Sequence, residues 1–361
     1  MCRSVYLLML VISASLPVRA ETMREACAKD LQDLPGFMLE NDAGGRDRYQ
    51  ERGAAFFDAA LAQARAELAG VESDASCEKL LRGYLRNWRF GHLVLNSTDP
   101  ARKSGQVPAE KPELSFLSTQ TVAIRLPSFD PANRDPLIQL LNQNAKRLAS
   151  TPNWIIDVRG NDGGSDWSYD DLLPWIIGNE TVEVADSWLV TPANTEAQRR
   201  VCDRGPDDLV CQRFMTAALE RMAGRASGTF VTQEDGPKVK FLAPSPHPYP
   251  RAQRVAVLVD RGCVSSCEEF LLKLRQSFNV KLIGQRSHGA LDYSNLRPHA
   301  LPSGRRVLRY ATSRSERLPD MPVDAAGVMP DIFLPPPQDE AQTRALVSRV
   351  QHWLEGGSLA P

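Results

Sequence analysis

Four short apolar runs limit what this chain can become: Thr121 to Leu126, Trp154 to Val158, Arg254 to Asp260 and Val280 to Gly284. None alternates polar with apolar residues, so none reads as a strand with one wet face. Between them stand segments with helical patterning, Pro136 to Leu148, Tyr169 to Ile177 and Ser266 to Phe278. Continuous strands separated by helices imply a mostly parallel sheet covered on both sides, an α/β fold. The 42% hydrophobic content of the 361 residues supplies a core of that size and excludes wholesale disorder.

The chain ahead of this alternation has a different texture. From Glu21 to about Arg89, apolar residues recur at helical spacing, first through Phe56, Phe57, Leu61 and Leu68, then through Leu80, Leu81, Tyr84 and Trp88. Phe90 to Leu95 reads as a short strand, and the prolines at 100, 108 and 112 mark a surface linker. The expected organisation is a helical domain at 21–90, a strand and linker at 91–112, and a core at 113–361. Residues 181–250, with a charged helical stretch and four prolines at 244, 246, 248 and 250, read as an insertion or lid within that core. No period of repeat length is present.

The first twenty residues read as a removable secretory signal: Arg3 in a short basic start, an apolar stretch from Val5 to Leu16, and Val18 and Ala20 at the small-residue exit. That stretch is too short for the roughly 20 residues a membrane span needs. Export to a periplasmic or extracellular space changes how the cysteines read. Cys2 leaves with the signal, and an even set in an oxidising compartment favours disulfides over zinc, for which the CxxC and HxxxH spacings are missing. Six cysteines allow 15 connectivities, which sequence alone does not choose between; proximity suggests Cys27 with Cys77 and Cys202 with Cys211, which leaves Cys263 and Cys267 as the remaining pair. With 43 basic and 44 acidic side chains the chain has no surplus for nucleic acid or an anionic membrane.

Two strand ends carry the chemistry. Asp157-Val158-Arg159-Gly160-Asn161-Asp162-Gly163-Gly164 runs a strand into a glycine-rich turn whose amides can converge on an anion or oxyanion. It lacks the Lys-Ser/Thr ending of a phosphate loop. The second is Val259-Asp260-Arg261-Gly262-Cys263-Val264-Ser265-Ser266-Cys267-Glu268-Glu269, a strand, a turn and a helix that opens on two serines. Either serine would stand at the positive end of a helix, as a nucleophile does. Either could also be no more than a helix cap, since Ser265-x-x-Glu268 and Ser266-x-x-Glu269 are both capping boxes.

Together, in this order, the two segments resemble the tail-specific or C-terminal-processing serine peptidase family, which includes the tricorn core peptidase and the retinoid-binding repeats of the interphotoreceptor protein. Three further matches extend the resemblance over residues 85–335: Thr121 to Phe129, Ile283-Gly284-Gln285 to Gly289, and Gly327-Val328-Met329-Pro330-Asp331. The fold it implies is a spiral αβ core of the Clp and crotonase type behind a small helical domain. It selects Ser265 as nucleophile, with the amide of Ser266 and that of Gly163 or Gly164 as the oxyanion hole. One branch of the family uses a lysine just after the glycine that closes the second of these segments, Gly289, but Ala290 stands there in this chain. The other branch takes a histidine from ahead of the core and a carboxylate from just before the closing turn, which maps to His92 and Asp324. His288 is the runner-up base; His247, His299 and His352 read as ordinary. A cysteine nucleophile is disfavoured because export favours pairing.

The expected activity is hydrolysis of peptide bonds by an exported serine peptidase, with a peptide or protein substrate, no cofactor and no metal. A binding protein on the same scaffold is the alternative, and acyl chemistry of the crotonase kind a third. The recognition module that tail-specific members carry does not fit between His92 and Thr121, which leaves substrate choice to the helical domain and to 181–250.

Overall fold

The computed structural model describes residues 21–99, 110–202, 209–233 and 235–359. The expected signal at 1–20 and most of the expected linker lie outside them.

The described residues open with four helices, α1 (Met23–Asn41), α2 (Gly45–Arg52), α3 (Ala54–Glu67) and α4 (Asp74–Leu85), followed by β1 (Val94–Ser97), β2 (Glu113–Phe116) and β3 (Thr121–Arg125). Next come α5 (Arg134–Gln143), α6 (Ala145–Ala149), β4 (Asn153–Asp157), β5 (Thr181–Val184), β6 (Asp186–Leu189), α7 (Pro192–Arg199) and α8 (Leu209–Met222). The remainder is β7 (Phe230–Thr232), β8 (Val239–Leu242), β9 (Arg254–Val259), α9 (Ser266–Leu274), β10 (Val280–Gly284), β11 (Tyr293–Ala300), β12 (Arg306–Ser315), β13 (Ile332–Phe333) and α10 (Glu340–Leu354).

The main sheet has the order β13-β10-β9-β4-β3-β2 and is parallel except for the β2 edge. Its strands are apolar throughout because both faces are covered. Trp154 and Ile156 point into a core with Leu137, Phe270 and Leu274, whereas Ile155 points the other way, onto Leu346 and Val350 of α10.

A second, antiparallel sheet has the path β1-β12-β6-β7, with β11 on the other edge of β12. The helices at the start of the chain pack on it. Leu308 and Tyr310 of β12, and Leu301 ahead of it, share one buried cluster with Leu31, Leu34, Phe57 and Trp88. The helical segment therefore has no closed core of its own. Segment 181–250 is equally interwoven: β6 and β7 belong to the second sheet, and only β5 and β8 form a separate ribbon.

Local differences from the sequence reading have local causes. Tyr169 to Ile177 is not a helix but lies among short 3₁₀ turns at Asp166–Ser168 and Leu173–Trp175, the second containing Pro174, which has no N–H to give. The helix expected to Leu148 divides at Asn144, whose side chain donates to the Leu140 carbonyl (2.9 Å). The helix after Ser265 ends at Leu274. Phe90 to Leu93 is a turn rather than a strand, because Gly91 (φ +69°) and His92 (φ +44°) are left-handed. The two cysteine pairs suggested by proximity and the remaining pair, Cys263–Cys267, are all disulfides. No described helix is long and apolar enough to cross a membrane.

Candidate active site

The two strand ends singled out in the sequence lie side by side because β4 and β9 are parallel neighbours, Asp157 pairing with Leu258. In such sheets ligands gather outside the carboxyl ends of the strands. The turns are stitched together: Asp260 Oδ1 accepts from the amides of Gly160 and Gly262 (2.9 Å each), and the Asn161 carbonyl accepts from Val264 N–H (3.1 Å). Asp157 holds Arg159 by two hydrogen bonds of 2.8 and 2.6 Å.

Ser265 is the last residue before α9 and has φ +59°, ψ −123°. A serine in that region is strained, and strain of this kind at a strand-to-helix turn lifts a hydroxyl clear of the backbone. Gly163 (φ +91°) packs directly on it. A Cβ at Gly163 would stand 2.6 Å from the Val264 carbonyl oxygen and 2.9 Å from Ser265 Cβ, so no side chain fits. Three amides were candidates for the oxyanion hole. Gly163 N–H donates to Asn161 Oδ1 (2.9 Å). The amides of Gly164 and Ser266 have no hydrogen-bond acceptor among the described residues.

Glu268, fully buried, fastens the Ser265 turn to the next loop. Its carboxylate accepts from the amides of Ser265 (3.2 Å), Gly289 (2.6 Å) and Ala290 (2.8 Å) and from Ser287 Oγ (2.5 Å). The disulfide Cys263–Cys267, both of whose cysteines are buried, closes around Ser265.

Both histidine candidates line the same groove as Ser265, a space of about 2270 Å³. His288 stacks on Phe90 (ring centroids 5.2 Å apart) and its backbone amide donates to the Cys263 carbonyl (2.9 Å). The His92 ring nitrogen Nδ1 is 2.5 Å from the Tyr293 carbonyl. A carbonyl can only accept, so Nδ1 carries the proton and Nε2 keeps its lone pair. Burial, and then the Arg89 guanidinium and His288, push the His92 pKa down to about 4, against the Tyr293 carbonyl and Asp42. The ring is thus neutral at ordinary pH. The His92 turn also occupies the ground beside Ala290: a Cβ on Gly91 would stand 2.5 Å from Ala290 Cβ.

Asp324 is not joined to His92. Its Oδ1 accepts from the amides of Leu291 (2.7 Å) and Asp292 (2.8 Å), and its own amide donates to Asp292 Oδ2 (2.8 Å). Burial, and next the neighbouring Asp292, raise its pKa to about 6. The expected His92–Asp324 contact is therefore absent here, and the acceptor on His92 is a backbone carbonyl. No ring nitrogen of His92 or His288 is hydrogen-bonded to Ser265 among the described residues. Sequence reasoning missed the Tyr293 carbonyl, which carries no side-chain signal, and the four-donor role of Glu268, of which only the capping spacing was visible.

Comparison with known proteins bears on the family and the fold. The sequence model of peptidase family S41 matches residues 120–334. Among solved structures, mature CPAF superposes with a TM-score of 0.60 at 12% identity, covering 93% of this chain and 99% of that one. A structure from Parabacteroides merdae, described as a peptidase, gives 0.59 at 16% identity, with 91% and 96% covered. A lipoprotein from Streptococcus agalactiae gives 0.50 at 13% identity, with 98% and 99% covered. No curated protein matches the chain in sequence. The chain shares with these neighbours an α/β fold with a Clp- and crotonase-like core. With the family pattern spanning more than half of its length, and both strand ends and the strained serine inside that span, the chain belongs to peptidase family S41, the serine-type peptidases.

Proposed function

We propose that the protein is an exported serine peptidase that hydrolyses peptide bonds of proteins or peptides, with Ser265 as nucleophile and His92 as general base. The observation that carries this reading is the strained Ser265 backbone at the end of β9, in one groove with a neutral His92 whose Nε2 lone pair is free. His92 Nε2 takes the Ser265 Oγ proton as Oγ attacks the scissile carbonyl. The oxyanion that forms meets the amides of Ser266 and Gly164, with Gly163 as a further donor once Asn161 releases it. Collapse breaks the C–N bond, and His92 returns the proton to the leaving amine. Water, deprotonated by the same ring, then hydrolyses the acyl-enzyme. The Tyr293 carbonyl stabilises the imidazolium in between. Asp324 acts one step back, by holding the Leu291 and Asp292 amides that precede Tyr293.

Labelling with a fluorophosphonate tests the chemistry. Stoichiometric adduct on Ser265 is expected, lost in Ser265→Ala and slowed by about 10²-fold or more in His92→Ala. Loss in His288→Ala with normal labelling of His92→Ala would transfer the base to His288. No adduct under conditions that modify a control serine peptidase would leave a binding protein on a peptidase scaffold.

A further inference from the structure

The loop that carries His92 is held by residues at the ends of the helices that precede it, α1 and α2. Arg89, three residues before His92, is buried and makes a two-pronged ion pair with Asp42 at the end of α1: Nε to Oδ1 2.9 Å, Nη2 to Oδ2 2.8 Å. Its remaining donors reach into the histidine turn, Nη1 to the Gly91 carbonyl (2.6 Å) and Nη2 to the His92 carbonyl (3.0 Å). Asp42 is in turn fixed by the amides of Gly44 (3.1 Å) and Ala311 (3.2 Å). Gly44 has no room for a side chain, since a Cβ there would lie 2.8 Å from Arg89 Cδ.

The acceptor for the imidazole is held from the same place. The Tyr293 ring lies under the Arg89 guanidinium (5.3 Å), and its hydroxyl donates to Asp47 of α2 (2.9 Å), which also pairs with Arg314 (3.1 Å). Both ends of the base, its peptide and its Nδ1 partner, are therefore anchored on residues of α1 and α2. A buried ion pair is a poor source of net stability, because desolvation offsets most of the attraction. A fork that fixes two consecutive carbonyls of a left-handed turn has a geometric use instead.

We propose that Arg89, clamped by Asp42, is a positioning residue for the catalytic base, and that the helical segment is part of the catalytic apparatus through this clamp. The inference rests on the reading of His92 as base. The charged and titratable groups facing His92 are Arg89 from the turn after α4, His288 from the loop after β10, and Asp42 from the end of α1; Asp324 acts on Arg89. Arg89 disfavours the imidazolium more strongly than Asp42 favours it, so removing both raises the pKa of His92 toward its ordinary 6.5.

The test uses the full chain with the paired substitution Asp42→Asn/Arg89→Gln, which leaves no unpaired buried charge, and with Arg89→Lys, which keeps the charge and loses the fork. Fluorophosphonate labelling rates are followed against pH, and the His92 titration is followed separately by NMR of the imidazole. The paired variant is expected to label about 10²-fold more slowly. Its acidic limb and its NMR titration should both move from about 4 toward 6.5. Arg89→Lys should lose rate with the limb in place. If the paired variant does not fold, the Arg89→Lys rate and limb decide alone. A paired variant that folds and keeps the wild-type rate and limb overturns the inference, as does Arg89→Lys at full rate. If His92→Ala labels normally, the base assignment has failed instead, and the NMR titration still reports whether the clamp governs His92.

Discussion

At the scale of single residues, the site turns on what faces each polar atom. The strand, turn and serine pair before α9 were legible from sequence, but Ser266 stands three residues before a glutamate just as Ser265 does, so Ser265 was singled out only through the resemblance. His92 was readable only through the resemblance, since nothing in Gly91-His92-Leu93 marks a base, and its left-handed backbone broke the strand that its apolar neighbours suggested. The identity of its partner was not readable at all, because every residue has a carbonyl. The physical consequence is a histidine held neutral. Its pKa of about 4 lies below the ordinary 6.5, so the base form persists in weak acid. Hydrolysis of a neutral peptide substrate should stay on its plateau at pH 5, with kcat/KM falling through an acidic limb near 4. A limb near 6.5 would show that His92 is solvated in the free enzyme. The linkage has the matching sign: between those two values the unfolded chain binds more protons at this site than the folded one, so His92 makes stability fall as pH drops from 6.5 toward 4.

Among the elements, the junction of α9 with the loop after β10 sets the shape of the site. The parallel strands, including their order of appearance, follow from unbroken apolar runs, because covering both faces leaves no polar positions. The 3₁₀ turns around Tyr169 kept a helix-like apolar pattern without the hydrogen bonds of a helix, and Pro174 was the residue that should have counted against one. Glu268 shows the opposite case, a capping glutamate whose larger task appears only when Ser287, Gly289 and Ala290 are brought to it. Replacing its carboxylate by an amide, Glu268→Gln, turns one acceptor oxygen toward donors as an NH₂ group. Gly289, Ala290, Ser265 and Ser287 then compete for too few acceptors. The variant should lose about 1–3 kcal/mol of stability in denaturant titration and label more slowly at Ser265. Unchanged labelling would mean that the nucleophile turn is kept in place by Cys263–Cys267 and the neighbouring strand end alone.

For the whole molecule, the sequence suggested a helical domain followed by a core, whereas the structure makes the boundary a shared interior. Leu301, Leu308 and Tyr310 complete the cluster around Trp88, and Arg306 of β12, fully buried, pairs with Asp30 (3.1 Å) and with Asp74. Those pairings join positions more than two hundred residues apart in sequence, which no local pattern reports. A shared core also makes cooperativity a testable property. The disulfide Cys27–Cys77 ties α1 to α4 across a sequence separation of 50 and lies in that shared cluster. In the chain-entropy picture, releasing a loop of this length with Cys27→Ala/Cys77→Ala removes about 4 kcal/mol by freeing the unfolded chain. Because the helices complete the core under β12, the loss should appear as one unfolding transition moved to lower denaturant. Fluorophosphonate labelling of Ser265 should disappear along the same curve as the helical signal. Two separated transitions, with labelling surviving the first, would show that α1 to α4 can come away and leave a competent site. The helices would then be a covering for β12, and the route from Asp42 to His92 would not be needed for activity.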